Sequence, residues 1–506
     1  MAQGILGFQY EAERPGVGVT ALAGLPVYLD LIVTSGLAQA IKQYVTVCGK
    51  QGWLDLQMVL ALIFLNLAGG DCVDDLERLE HDAGFCQIMK SVERHILSRT
   101  ERKALAARWR RARVRTLPSS SSMSEWLERF HDEETGKERK VGVAIIPAVT
   151  AKLRSLWIVN QCLLSFSQKQ SGEDTGTLDM DATLIETFKR TALHSYKGFK
   201  AYQPLNCWWS ERNVMIYSEF RDGNVPAGFE HLRFLKDSLR AAEAVGIKKV
   251  YFRADTAAYQ QDILLYCGEG KDERYGVIEF AVSADVTQEF RAAVLRVSED
   301  DWRPLYRTVD DIRYKTDQEW AEVCFVPAWV GHSKKRKDYR FLAIREPLRQ
   351  FDLGDDKELP FPVQGFGVKG QFKLFGVVTN RMDLSGEDVI WWHRKRCGKS
   401  EEAHSALKED LAGGQMPSGK FGANAAWWAI VILAHNLNAM MKRLVLGEKW
   451  ANKRMKSLRF SLINLPGRVI THARKLIIRV TGAGETLSLI LSARDKIRAL
   501  AQEPAG

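Results

Sequence analysis

The sequence predicts a mixed α+β chain: a sheet-bearing domain, interrupted by a β-rich segment, with helical regions on both sides. Three observations predict it. Thr177 to Glu186 alternates polar and apolar residues, the period of a strand. The middle of the chain reads as three strands, helix, strand, helix, strand. Outside it, helical patterns take over, the longest and most apolar from Phe421 to Leu446.

Taken in order, Leu54 to Ala68 is a strongly apolar helix closed by Gly69-Gly70, and Val73 to Leu79 a short amphipathic one. Thr100 to Arg115 reads as a basic helix with Trp109 inside it. Pro118 and four serines break the pattern, and Ser124 starts the next helix. These helices fit a DNA-binding module or a scaffold with a solvated basic face. Ala144 to Ser167 is a buried helix, and Gln168 to Gly176 a polar linker. The strands are Thr177–Glu186, Lys200–Trp209, Val214–Phe220, Lys248–Arg253 and Gly276–Ser283. Helices at Phe229–Ala244 and Ala257–Tyr266 fall between the last three. That is the order of an RNase H-like sheet. Strand signals at Val323–Val326, Tyr339–Ile344 and Leu374–Val378 mark a β-rich insertion. A helix with Ser400 as N-cap follows.

Net charge is +10 over 506 residues, which favours a polyanionic partner, nucleic acid first. The charge is concentrated. Arg102 to Arg115 holds seven Lys or Arg and no acid, Lys442 to Arg479 eleven against Glu448 alone, and 333–337 is a short basic run. The eight cysteines form no C-x-x-C pair, which argues against a zinc ribbon or a disulfide framework. No run of eighteen apolar residues and no basic n-region with an apolar core is evident. A cytoplasmic protein with no membrane partner is the expectation.

The chemistry centres on carboxylates. Asp179, Asp181 and Thr183 share one face of the first strand. Carboxylates facing a structure need a neutralising partner, and a divalent cation is the simplest. The alternative is a surface strand with solvated aspartates. Asp255 ends the fourth strand, and Glu401, His404 and Lys408 share a helix face after the insertion.

Four ordered motifs carry a resemblance: Leu178-Asp179-Met180-Asp181-Ala182-Thr183; Phe220-Arg221-Asp222-Gly223-Asn224; Phe252-Arg253-Ala254-Asp255-Thr256; and Arg396-Cys397-Gly398-Lys399-Ser400-Glu401-Glu402 with Lys408. The set resembles the DDE transposases of bacterial insertion sequences, within the wider DDE transposase group 1. It is most similar to the insertion-sequence thirteen-eighty group, whose catalytic domain carries a β insertion. The resemblance implies Asp181, Asp255 and Glu401 as catalytic and metal-binding acids. It also implies two Mg²⁺ ions, replaceable by Mn²⁺, about 3.5–4 Å apart. The family's acid precedes a Thr by two residues, which selects Asp181 over Asp179. Glu402 competes with Glu401. His393 stands where the family has tyrosine, and one extra residue separates Arg396 from Glu401.

The implied partners are double-stranded DNA, as terminal inverted repeats and target, and a second copy in a homodimer, with a bacterial, nucleoid-associated location. Arg396 and Lys408 would contact the scissile strand. Arg110, Arg111, Arg113, Lys453 and Arg454 would add phosphate contacts. Trp208 and Trp209 either stack an unpaired base or pack in the core. The expected division is 1-140, a helical DNA-binding or dimerisation region; 141-170, a helical linker; 171-284, the first part of the RNase H-like core; 285-386, the β-rich insertion; 387-446, the second part of the core; and 447-506, a basic helical C-terminal region. The expected function is cut-and-paste transposition. The alternatives are a nuclease that only cleaves and a domesticated DNA-binding protein without catalysis.

Overall fold

The computed structural model describes residues 18–327, 339–348, 372–397, 399–473, 475–481 and 484–502. The basic run 333–337 and the Ser400 cap lie outside the described residues and side chains. Nine strands form one mixed sheet: β1 (Thr175–Ala182), β2 (Leu205–Trp209), β3 (Val214–Glu219), β4 (Lys249–Ala254), β5 (Glu279–Ala284), β6 (Arg303–Val309), β7 (Ile312–Val323), β8 (Arg340–Pro347) and β9 (Phe372–Thr379). Their spatial order is β6-β7-β8-β9-β5-β4-β1-β2-β3. The contacts β4–β1 and β4–β5 are parallel and the rest antiparallel. The predicted order of three strands, helix, strand, helix, strand is observed. The intervening helices are α2 (His231–Val245) and α3 (Gln261–Gly268), with α1 (Ala151–Lys169) ahead of β1.

Strand β1 is covered on both faces. Leu178 and Met180 enter one apolar cluster, and Asp179 on the other face is only 3% exposed. A solvated surface strand is therefore excluded. The Asp179 carboxylate is taken by Arg253, directly beside it on β4, through a pair of bonds of 2.6 and 2.7 Å.

Several expected elements differ in extent. Lys200–Trp209 is two strands, because Pro204 has no N–H to give to a ladder. The strand expected at Val323–Val326 instead ends at Val323. The β-rich segment is no separate layer: β9 pairs with β5, so β6–β9 extend the same sheet. The basic helix ends at Ala107 rather than Arg115. There the Arg108 guanidinium donates to the carbonyls of Gly49, Gly52 and Trp53, and Trp109 meets Trp53 edge-on. Tertiary ties override helix propensity at that point.

The C-terminal region is not wholly helical. Gly467–His472 and Lys475–Val480 form a hairpin that takes Val19–Thr20 as its third strand. Along Lys475–Val480, Leu476, Ile478 and Val480 turn inward while Lys475, Ile477 and Arg479 face out. A helix, Gly484–Gln502, follows.

The remaining helices near the site are α4 (Gly386–Arg394), α5 (Lys399–Ser405) and α6 (Phe421–Met440). Every residue of α6 is buried. By length and composition Phe421–Leu446 resembles a membrane span, yet 83% of its most apolar window is buried inside the protein. It packs against α1 and Asp55–Ala68, so residues 22–130 share one apolar cluster with the centre of the chain.

The Arg253–Asp179 pair is almost wholly desolvated, so removing one partner strands a buried charge. Asp179→Ala is expected to lower unfolding free energy by about 3–5 kcal/mol in urea titration. The double replacement Asp179→Leu/Arg253→Met should recover much of that. A single-variant loss below about 1 kcal/mol would mean the pair does not hold the strands.

Candidate active site

The site begins with strand register. Parallel pairing sets Met180 beside Ala254, so Asp181 and Asp255 take the next step on neighbouring strands. Such strands run about 4.8 Å apart. Asp181, one residue before the end of β1, lines the cleft, and Asp255 leaves β4 and accepts the Ala257 N–H at 3.0 Å, closing a tight turn. His393 of α4 supports that turn, its Nε2 3.1 Å from the Ala254 carbonyl. A carbonyl only accepts, so Nε2 carries the proton. Burial lowers the His393 pKa to about 3, and the ring is neutral.

The third candidate acid, Glu401, is on α5. Glu401, His404 and Lys408 line one cleft of about 1090 Å³ together with Asp181. The predicted helix face is thus brought to the predicted strand. Helix α5 changes at Ala406 to a π-helical turn that carries Lys408, and Lys408 Nζ reaches the Leu184 carbonyl at 3.4 Å. Such turns are often found at functional sites. Glu402 points elsewhere, into a pocket of about 120 Å³ with Arg212, Lys442 and Arg454.

Charge couples these groups. Burial pushes the Asp181 carboxyl up to about 6; Arg396 pulls it down, while Asp255 and Glu401 push it further up. Arg396 Nη1 stands 3.5 Å from Asp181 Oδ2, a cation beside the carboxylate in spite of the extra residue before Glu401. The donor chemistry fits a hard divalent cation: oxygen-only ligands whose mutual repulsion a cation relieves. Among the described residues no three His, Cys, Asp or Glu side chains already stand close enough to share one ion.

The basic residues divide. Arg110 and Arg111 are exposed in a groove with Lys90, Arg94 and Arg102. Arg113 lines the same groove, but its guanidinium forms paired bonds to Glu93 and lies over Trp53. Arg454 bonds Asp410 at 3.1 Å, and Lys453 is exposed. Trp208 and Trp209 are buried, with Trp208 against the rings of His404 and His435. Packing rather than base stacking is their role here.

Sequence reasoning passed over three supporting residues: Arg253, His393 as a carbonyl donor, and Asn206, opposite Asp181 on β2. Arg253 was legible, because a charged residue inside an apolar strand beside an Asp-bearing one needs a partner.

This sheet, with paired acids at the ends of its central strands and a third on a helix after the insertion, defines a mixed α/β protein built around a carboxylate site. The chain belongs to the transposase DDE domain group 1 family, whose model matches residues 7–502. No curated protein matches it. Among solved structures it is similar to the piggyBac transposase in a synaptic complex with hairpin DNA, at 10% identity and a TM-score of 0.43. The match covers 94% of this chain and 82% of that one.

The raised Asp181 pKa has a signed consequence. The stability tied to the neutral acid is fully present below about pH 4 and is lost as pH rises through about 6. In chelator, Asp181→Asn should therefore leave stability nearly unchanged at pH 4 and raise it above pH 7. The gain is at most roughly 3 kcal/mol, at about 1.4 kcal/mol per pKa unit. Thermal melts across pH measure it; a gain that is largest at low pH would contradict the assignment.

Proposed function

We propose that this chain is the transposase of an insertion sequence of the thirteen-eighty group. It would bind the terminal inverted repeats, cut the ends by hydrolysis and join them to target DNA. The observation that carries this reading is the placement of Asp181 and Asp255 side by side, with Glu401 lining the cleft into which Asp181 opens.

Cleavage forms a bond from a water oxygen to phosphorus as the P–O3′ bond breaks, leaving a 3′-hydroxyl and a 5′-phosphate. Joining repeats the exchange, with that 3′-hydroxyl attacking a target phosphodiester and the displaced target 3′-oxygen taking up the proton. One phosphodiester replaces another, so no energy donor is needed. Magnesium, with manganese able to substitute, would be held by Asp181, Asp255 and Glu401 and would supply Lewis-acid stabilisation of the developing phosphate charge. Arg396 and Lys408 flank the acids and would hold the scissile phosphate in line. The groove of Arg110 and Arg111 would carry DNA away from the cut. A homodimer on DNA acting at the nucleoid fits this reading.

Asp181→Ala, Asp255→Ala and Glu401→Gln should each abolish nicking of a terminal-repeat duplex while end binding in gel shifts persists. Glu402→Gln should keep cutting. The reverse result for the two glutamates would reassign the third acid. Nicking should stop in EDTA, return with Mg²⁺ or Mn²⁺ and fail with Ca²⁺; full activity in EDTA would sink the reading. Cutting without strand joining would favour the nuclease alternative.

Salt dependence tests the groove. Arg110→Ala/Arg111→Ala should lower the slope of log K against log salt by roughly 2, at about 0.9 per phosphate contact. Adding Arg113→Ala should chiefly reduce thermal stability, because its guanidinium is bound to Glu93.

A further inference from the structure

The strand beside Asp181 carries a buried amide at the centre of a chain of hydrogen bonds. Asn206 is fully buried, opposite Asp181 in the β1–β2 register. The Ser218 hydroxyl lies 2.7 Å from Asn206 Oδ1 and 2.9 Å from the Trp428 indole nitrogen. An indole only donates, so Ser218 accepts from Trp428, and an amide oxygen only accepts, so the Ser218 proton goes to Asn206 Oδ1. As the amide is oriented in this structure, its oxygen faces Ser218 and its nitrogen faces His404, whose Nε2 is 3.1 Å away. An amide nitrogen only donates. His404 Nε2 is thus the acceptor, and the ring is neutral with its proton on Nδ1. Burial first, then Lys408 and Arg396, holds its pKa at about 3, in agreement with that state.

The bonds form a chain from Trp428 of α6, through β3 and β2, to His404 of α5. The chain passes beside Asp181 and ends three residues from Glu401. Helix α5 has seven residues and runs into a π-helical turn, so it cannot hold its own position as an isolated helix. Ala403 on the helix and Leu407 in the turn pack in the core, but apolar contacts resist sliding weakly. A directed bond at His404 fixes both its rotation and its height over β2. Because Nε2 is engaged, His404 does not offer that nitrogen to a metal.

We propose that Asn206 and His404 are positioning residues that pin the Glu401 helix to the Asp181 strand. This rests on the reading above that Asp181 and Glu401 act together.

Two measurements test it on the full chain. Nitrogen-15 spectra of histidine-labelled protein, assigned with His404→Gln, should show an unprotonated Nε2 and a protonated Nδ1 from pH 8 to pH 5. A protonated Nε2 would overturn the chain of bonds. Single-turnover nicking should fall roughly 10–100-fold in Asn206→Ala and in His404→Leu. It should need more Mg²⁺ for half-maximal rate, with unchanged binding of the terminal-repeat duplex. His404→Gln, which restores an acceptor oxygen, should recover most of the rate. A purely structural role would make Leu and Gln equally poor, in proportion to their loss of melting temperature. Wild-type rate and Mg²⁺ demand in a folded His404→Leu protein would overturn the positioning role. If the wild type itself does not cut, the functional reading falls and the positioning role with it, while the tautomer still reports on the bonds.

Discussion

Everything at the site depends on the parallel pairing of β1 and β4. That pairing ends at Met180 and Ala254, so Asp181 and Asp255 follow side by side, the second at the turn that closes β4. Arg253 and Asp179, two residues earlier in the register, bind across the same two strands. The carboxylate two residues upstream of Asp181 therefore has a structural role, and it keeps the strand ends from sliding. A one-residue slip would turn Asp181 to the opposite face.

The order of strands and helices was legible because each strand is short, apolar and bounded by turn residues. Asp181, Asp255 and Glu401 stood at ends of elements, where ordered motifs could be read. What stayed hidden depended on partners distant in sequence. Nothing local distinguishes Arg113, bound to Glu93, from Arg110, which is not. Nothing local shows that β9 returns to β5 and merges the inserted segment into the central sheet. The C-terminal hairpin was concealed by its own charge. Its strands show the right period, but the lysines and arginines drew attention to the tail as a binding surface.

The charge balance carries a related lesson. A chain of +10 suggests a surface devoted to a polyanion. Some of the positive charge instead has internal work: Arg139 bonds Asp222 under Phe421, Arg221 and Arg233 bond Glu219, and Arg459 caps carbonyls of Asn66 and Leu67. Guanidinium groups suit this task, because their fork of donors serves carboxylates and helix ends alike. Exposed cations also remain, among them Arg110 and Arg111 in their groove with Lys90, Arg94 and Arg102.

The buried helix α6 also affects how the protein is made. The helices of residues 22–130 leave the ribosome early, yet the element that fills their shared cluster begins only at Phe421. Val19–Thr20 waits longer still, for a strand partner at 467–468. For most of its synthesis the nascent chain therefore has an apolar face without its native cover, the condition under which chaperones bind and aggregation competes with folding. A prematurely terminated copy lacking α6 would have no complete core.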